Sequence, residues 1–126
     1  MIAIDASVAI AWFEGADYPE TRLLEELAMN HTAVYPAVVV TEILSGARPN
    51  PALATLFPDT VILPIETGCW IRAGQLRSKL KSLGRRAKLA DTLVAQACLD
   101  AGVPLLARDA DFKVFAEVAG LRLAEA

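Results

Sequence analysis

Ile2-Ala3-Ile4-Asp5-Ala6-Ser7 sets three apolar residues against a carboxylate and then a small hydroxyl residue. The apolar run reads as a short buried strand that ends on Asp5. Ser7 is placed to cap a helix carrying Val8, Ile10, Ala11 and Trp12 to a stop near Gly15. A buried strand feeding a helix, with an acid at the junction, sets the pattern sought in the rest of the chain.

The same alternation recurs downstream. Asp17 and Glu20 around Pro19 predict a capping box opening a helix through Leu23, Leu24 and Leu27. Ala33-Val34-Tyr35 reads as a second strand closed by Pro36, and Ala37 to Ala47 as a helix ending at Gly46, although the β-branched Val38-Val39-Val40 pulls locally toward strand. Pro49 and Pro51 frame a loop before a short helix, and Val61-Ile62-Leu63 supplies a third strand. From Glu66 a longer helix is marked by Cys69, Ala73, Leu76, Leu80 and Leu83 on one stripe, ended by Gly84. Leu89 to Ala101 is the next helix, Val103 to Ala107 a fourth strand, and a last helix holds Phe112, Phe115 and Val118. Leu121-Arg122-Leu123 is a candidate fifth, edge strand. Short apolar strands alternating with helices predict an α/β fold, a three-layer α/β/α sandwich around a mainly parallel sheet of four to five strands. With 126 residues and no linker, residues 1–126 make one domain.

The bulk properties narrow the function. Hydrophobic residues make up 55% of the chain and mean hydropathy is +0.41, yet no stretch approaches the roughly 20 apolar residues needed to span a bilayer. The surplus predicts apolar surface for a partner or a second copy, not a membrane. The amino terminus has no basic region and no small-residue cleavage site, so no signal peptide is expected. Cys69 and Cys98 fall in apolar helical stretches at no metal-ligand spacing and read as reduced, buried thiols in a cytoplasmic protein. The net charge of −3 hides an asymmetry. Arg72, Arg77, Lys79, Lys81, Arg85, Arg86 and Lys88 lie together, and no acid occurs between Glu66 and Asp91. One basic surface and an acidic remainder suit a protein that grips phosphate on one side and collects metal on another.

In an open parallel sheet, ligands bind beyond the carboxyl ends of the strands. Asp5 ends the first strand, Asp109 and Asp111 follow the fourth, Asp91 opens a helix, and Glu42 is the only charge between Ala37 and Ala47. Thr92, Gln96 and Asp100 form a polar stripe at helical spacing, and Asp91 lies off it, on a line continued by Ala95 and Cys98. A carboxylate on a largely apolar face needs a cation. No Lys or Arg is obviously placed to serve, and the lone His31 is distant in sequence. Acids converging on one edge repel unless neutralised, and all-oxygen ligation suits Mg²⁺ or Mn²⁺. Of Asp109 and Asp111, Asp109 is expected to ligate and Asp111 to cap the last helix. Trp12, Trp70 and the phenylalanines are expected in the core or an interface.

Ile2 to Ser7, Val40-Thr41-Glu42-Ile43-Leu44, Leu89-Ala90-Asp91-Thr92-Leu93 and Leu106-Ala107-Arg108-Asp109-Ala110-Asp111-Phe112 together resemble the four signature segments of PIN-domain proteins, nearest to the VapC-type toxin branch. The resemblance implies a Mg²⁺- or Mn²⁺-dependent endoribonuclease with catalytic acids Asp5, Glu42, Asp91 and Asp109, metal held by Asp5, Asp91 and Asp109, and Ser7 as the supporting hydroxyl. Asp111 supports the same edge. It further implies a homodimer and a cognate antitoxin that occludes the site. One departure is Ala107, where the family commonly carries Thr or Ser. The basic residues Arg77, Lys79, Lys81, Arg85, Arg86 and Lys88 are expected to contact RNA phosphates. A phospho-acceptor signalling domain is disfavoured because the required Lys after a late strand is missing: strand four runs into Ala107-Arg108-Asp109. A non-catalytic RNA- or protein-binding module of the same fold is the remaining alternative.

Overall fold

A computed structural model describes every residue except Ala47 and Pro49. In chain order it comprises β1 (Ile2–Ile4), α1 (Ala6–Phe13), α2 (Pro19–Met29), β2 (Ala33–Pro36), α3 (Ala37–Leu44), α4 (Pro51–Ala54), a 3-10 turn (Asp59–Val61), β3 (Ile62–Leu63), α5 (Cys69–Ser82), α6 (Leu89–Ala101), β4 (Leu105–Leu106), a second 3-10 turn (Ala110–Phe112) and α7 (Lys113–Ala119). The strands pair in the order β3-β2-β1-β4, every pair parallel. The chain steps outward from β1 through β2 to β3 and then crosses back to place β4 on the far side of β1. Since parallel crossovers keep one hand, this reversal puts the α5–α6 connection on the sheet face opposite α1 and α2, while α3 touches both α1 and α6. It also makes the β1/β4 boundary the switch point, where a crevice opens beyond the strand ends.

The fold class is the one the sequence predicts, and Leu89–Ala101 has the predicted bounds. Several local expectations are corrected. The fifth strand reduces to one parallel bridge between Leu105 and Leu123, with the Leu105 amide donating to the Arg122 carbonyl (2.9 Å) and the Ala124 amide to Leu105 (2.8 Å). That pairing covers the open edge of β4. Asp5, not Ser7, caps α1: its side chain accepts the Ser7 amide. The Asp17–Glu20 capping box does not form. Tyr18 occupies the cap position of α2, and its amide donates to the Thr21 hydroxyl (2.9 Å), which donates onward to the Ala16 carbonyl (2.9 Å). Asp17 instead faces Arg22 at 3.6 Å. α3 ends at Leu44, before Gly46; the expected end of that helix at Ala47 and the loop residue Pro49 lie outside the described residues.

The core runs through the sheet and both helical layers, with Ile4, Val8, Leu24, Val39, Leu80, Val94, Leu105, Leu106, Phe112 and Phe115 fully buried. Cys69 and Cys98 are buried free thiols, and burial pushes the Cys98 pKa up to about 12. The polar stripe of α6 faces inward. Thr92 and Gln96 are buried; Gln96 donates to Asp100 (2.8 Å), and Asp100 accepts two hydrogen bonds from Arg72 on α5 (2.9 and 2.7 Å). The guanidinium holds the Asp100 pKa below its ordinary value. This network ties α5 to α6, so Arg72 is not part of a free basic surface. Among the described residues no helix is long and apolar enough to cross a membrane.

Candidate metal centre

Asp5 is delivered to the crevice by the end of β1 and is buried. As the cap of α1 it accepts the Ser7 amide (3.1 Å) and the Ser7 hydroxyl (2.6 Å) at the same oxygen, Oδ2. Burial raises its pKa, opposed by the Ser7 hydrogen bonds and reinforced by Asp109. The Ser7 hydroxyl also accepts the backbone amide of Arg108 (3.1 Å). One hydroxyl thereby ties the end of β1 to the loop after β4. With Ala107 lacking a hydroxyl, Ser7 is the residue that makes this link.

Asp91 enters from the first turn of α6. Its Oδ2 is buried and finds no hydrogen-bond partner, the one such side-chain atom among the described residues. Desolvation, then repulsion from Asp109 and Asp5, lifts its pKa to about 6, against a smaller opposing pull from Lys88. An orphaned carboxylate oxygen is costly, and native folds keep one only for a reason. Asp91, Asp109 and Asp111 each bring a carboxylate oxygen within 4.8 Å of the others. The capping role falls to Asp109, whose Oδ1 accepts the Asp111 amide (2.9 Å) at the start of the second 3-10 turn. Asp111 instead pairs with Lys88, Nζ to Oδ2 at 3.0 Å.

Glu42 does not sit in an apolar pocket; it is exposed at the rim. Partial desolvation, together with the charges of Asp5 and Asp91, raises its pKa, which places it in electrostatic reach of the cluster. Of the acids expected at the sheet edge, Asp91, Asp109 and Asp111 form the tightest group, and Asp5 and Glu42 lie within reach of their charges. An all-oxygen set with one unsatisfied inward oxygen fits a hard divalent cation.

The basic run divides. Arg77 donates to the Ala87 carbonyl (2.9 Å) and Arg85 to Glu117 (2.7 Å), while Lys79, Lys81 and Arg86 enter no ion pair among the described residues. Lys88 is the cation near the acids that sequence reasoning passed over. Arg108 was missed as well: its guanidinium lies over the Tyr18 ring, 3.5 Å from the centroid, and 3.8 Å from Glu20. Its position beside Asp109 was the available signal. Trp70 is not core. It is 58% exposed, close to the likewise exposed Ile71, and lines an open groove with Gly74, Arg77, Lys81 and Leu89. His31 lies before β2, at the opposite edge of the sheet.

A family model described as PIN domain matches residues 2–118. No curated protein is significantly similar to the chain. Among solved structures, the chain resembles one from VapBC2 of Rickettsia felis, solved bound to a DNA fragment from its promoter (TM-score 0.76, 22% identity, 98% of each chain covered). It also resembles one from VapBC-1 of nontypeable Haemophilus influenzae (TM-score 0.74, 20% identity, 99% of this chain and 98% of that chain). A third is VapBC-5 of Mycobacterium tuberculosis, a member of the VapBC family of toxin–antitoxin systems (TM-score 0.70, 18% identity, 98% of this chain and 97% of that chain). At these identities the likeness is one of fold.

Proposed function

The chain belongs to the PIN-domain family, and on that premise we propose that it is a Mg²⁺- or Mn²⁺-dependent endoribonuclease, the toxin half of a toxin–antitoxin pair. The observation that carries the reading is the buried, partnerless Asp91 Oδ2 beside Asp109 and Asp111 at the switch-point edge of the sheet. Asp5, Asp91 and Asp109 would hold the cation, with Asp111 in support. Bound there, Mg²⁺ or Mn²⁺ lowers the pKa of water and offsets charge on the phosphate.

The chain's own groups do the rest. Ser7 fixes the orientation of the Asp5 carboxylate by two hydrogen bonds. Glu42, exposed and with a raised pKa, would take a proton from water attacking the phosphodiester. Lys79, Lys81 and Arg86, with Arg77, Arg85 and Lys88, bind RNA phosphates, which positions the strand without reading its sequence. A cognate antitoxin and a homodimer belong to the same proposal. Both are supported by the exposed apolar residues Ile65, Trp70, Ile71 and Leu89, and the antitoxin also by the likeness to a member of the VapBC family of toxin–antitoxin systems. The free buried thiols agree with a cytoplasmic setting.

The test is incubation of purified protein with a mixed cellular RNA pool in Mg²⁺, Mn²⁺ or EDTA. Discrete fragments are expected with either metal and none in EDTA. Intact RNA after incubation with folded, metal-supplied, antitoxin-free protein would favour the non-catalytic binding module instead. Charge reversal at Arg85 and Arg86 is expected to weaken RNA binding and to flatten its salt dependence, by about one unit of slope for each phosphate no longer neutralised. An unchanged affinity and slope would remove these two residues from the RNA surface.

A further inference from the structure

Lys88 has a fixed backbone and a loose head. It is the cap residue of α6, and its carbonyl accepts both the Thr92 amide (3.0 Å) and the Thr92 hydroxyl (2.7 Å). Its side chain is half exposed and reaches Asp111 at 3.0 Å. Its ammonium also feels the charges of Asp91 and Asp109, so all three acids of the tight group act on it. The Asp111 carboxylate is therefore claimed twice, once by this ammonium and once by the oxygen cluster a divalent cation would enter. Exposed Lys–carboxylate pairs hold weakly, and a lysine head on its flexible stem is easily displaced. Lys88 serves the outermost acid and leaves the inner Asp91 Oδ2 without a partner.

We propose that Lys88 is a built-in counter-cation of the acidic cluster: it neutralises Asp111 in the metal-free protein and yields that carboxylate when a divalent cation enters. This rests on the metal-site reading above. Lys88 then sets a floor under the metal-free fold by relieving repulsion among the acids, and it weakens metal binding by the same charge. Once displaced, the ammonium stands at the mouth of the site, where a phosphate arrives. The pairing with Asp111 and the place of Lys88 in the basic run are then two states of one side chain.

Mn²⁺ binding measured by calorimetry tests this, with melting temperatures taken in EDTA and in saturating Mn²⁺. Lys88→Met keeps the stem and removes the charge. It is expected to bind Mn²⁺ about 10- to 30-fold more tightly, the upper end being the scale of removing a unit charge about 4 Å from a divalent cation in a high-dielectric mouth. It should also melt lower than wild type in EDTA and recover that deficit in Mn²⁺. Lys88→Arg should stay near wild type in both readouts. Arg22→Met, which removes one positive charge from the exposed pair with Asp17, should leave Mn²⁺ affinity unchanged. Equal or weaker binding by folded Lys88→Met overturns the proposal, and so does equal tightening by Arg22→Met, which would make the effect one of net charge. If wild-type protein takes up no Mn²⁺, the metal reading itself fails and the role of Lys88 falls with it. If wild type binds and Lys88→Met does not differ, the metal reading stands and only the counter-cation is lost.

Discussion

Asp91→Asn is expected to abolish metal-dependent RNA cleavage while making the metal-free protein more stable at neutral pH. Asparagine matches aspartate in shape but leaves no charge in the position where Asp91 Oδ2 lacks a partner. Loss of a metal-holding carboxylate should exceed the ~10- to 100-fold effect typical of groups that only orient the ligands, so a fall of about a thousand-fold or more is expected. The stability effect has the opposite sign. Asp91 has an ordinary pKa of 3.8 and a folded value near 6, so the fold favours its protonated form. The stability this contributes is complete below 3.8 and is lost as pH rises through about 6. The Asp5 and Glu42 pKa values are also raised, so their contributions run the same way, and the titration belongs to the cluster and not to one acid. In EDTA, wild type should therefore melt higher at pH 5 than at pH 7.5, and Asp91→Asn should flatten that slope. Saturating Mn²⁺ should reverse it, since a cation binds the deprotonated cluster. Melting curves across that range, with and without Mn²⁺, check each sign. A wild-type melting temperature in EDTA that rises with pH would contradict the electrostatics of the site, and wild-type cleavage by the Asn variant would remove Asp91 from it.

What the sequence made legible, and what it hid, divides by range. Strands of two to four residues were readable because burial on both faces leaves an unbroken apolar run, and Leu89–Ala101 because its helical pattern ends on a glycine with φ of +66°. The convergence of Asp5 with Asp109 was legible because both follow the ends of strands in a parallel sheet, whose carboxyl ends share one edge. The cap of α1 was misassigned because Asp5 and Ser7 both have capping side chains and lie two residues apart. Tyr18 gives no composition signal as a cap, since its amide is held by Thr21 and not by its own ring. The polar stripe of α6 gave no sign of facing inward, because the partner that satisfies Asp100 is Arg72 on another helix. The Lys88–Asp111 pair was hidden for the same reason. Helical periodicity identifies a stripe, but a residue distant in sequence decides whether a polar stripe is buried. Trp70 is the converse case: its type favours burial, yet it stands largely exposed beside the exposed Ile71.

Phe112→Ala is expected to produce the largest loss of stability of any change near the site, and to weaken metal binding with it. Phe112 is fully buried and packs against Phe115 with ring centroids 6.0 Å apart. It closes the 3-10 turn Ala110–Phe112, whose start is capped by Asp109 through the Asp111 amide. Two of the three clustered acids thus stand on a turn held down by this one ring. Truncation of a buried Phe costs about 3–5 kcal/mol. At about 3–5 °C per kcal/mol for a domain of this size, that is a fall in melting temperature of roughly 10–20 °C. Loss of the anchor also frees the turn, so Mn²⁺ affinity should drop even below the melting transition. Phe57 provides the comparison, being buried and stacked edge-on against Tyr35 (5.0 Å between centroids) away from the acids. Phe57→Ala should lower the melting temperature while leaving Mn²⁺ affinity near wild type. Phe112→Leu, which refills most of the volume, should recover both properties in part. Measuring Mn²⁺ affinity for all three variants at a temperature where each is folded separates the global cost from the local one. If Phe112→Ala bound Mn²⁺ as tightly as wild type there, the Asp109–Asp111 turn would have to be held by its backbone hydrogen bonds and the Ser7–Arg108 link, with the aromatic anchor serving the core alone.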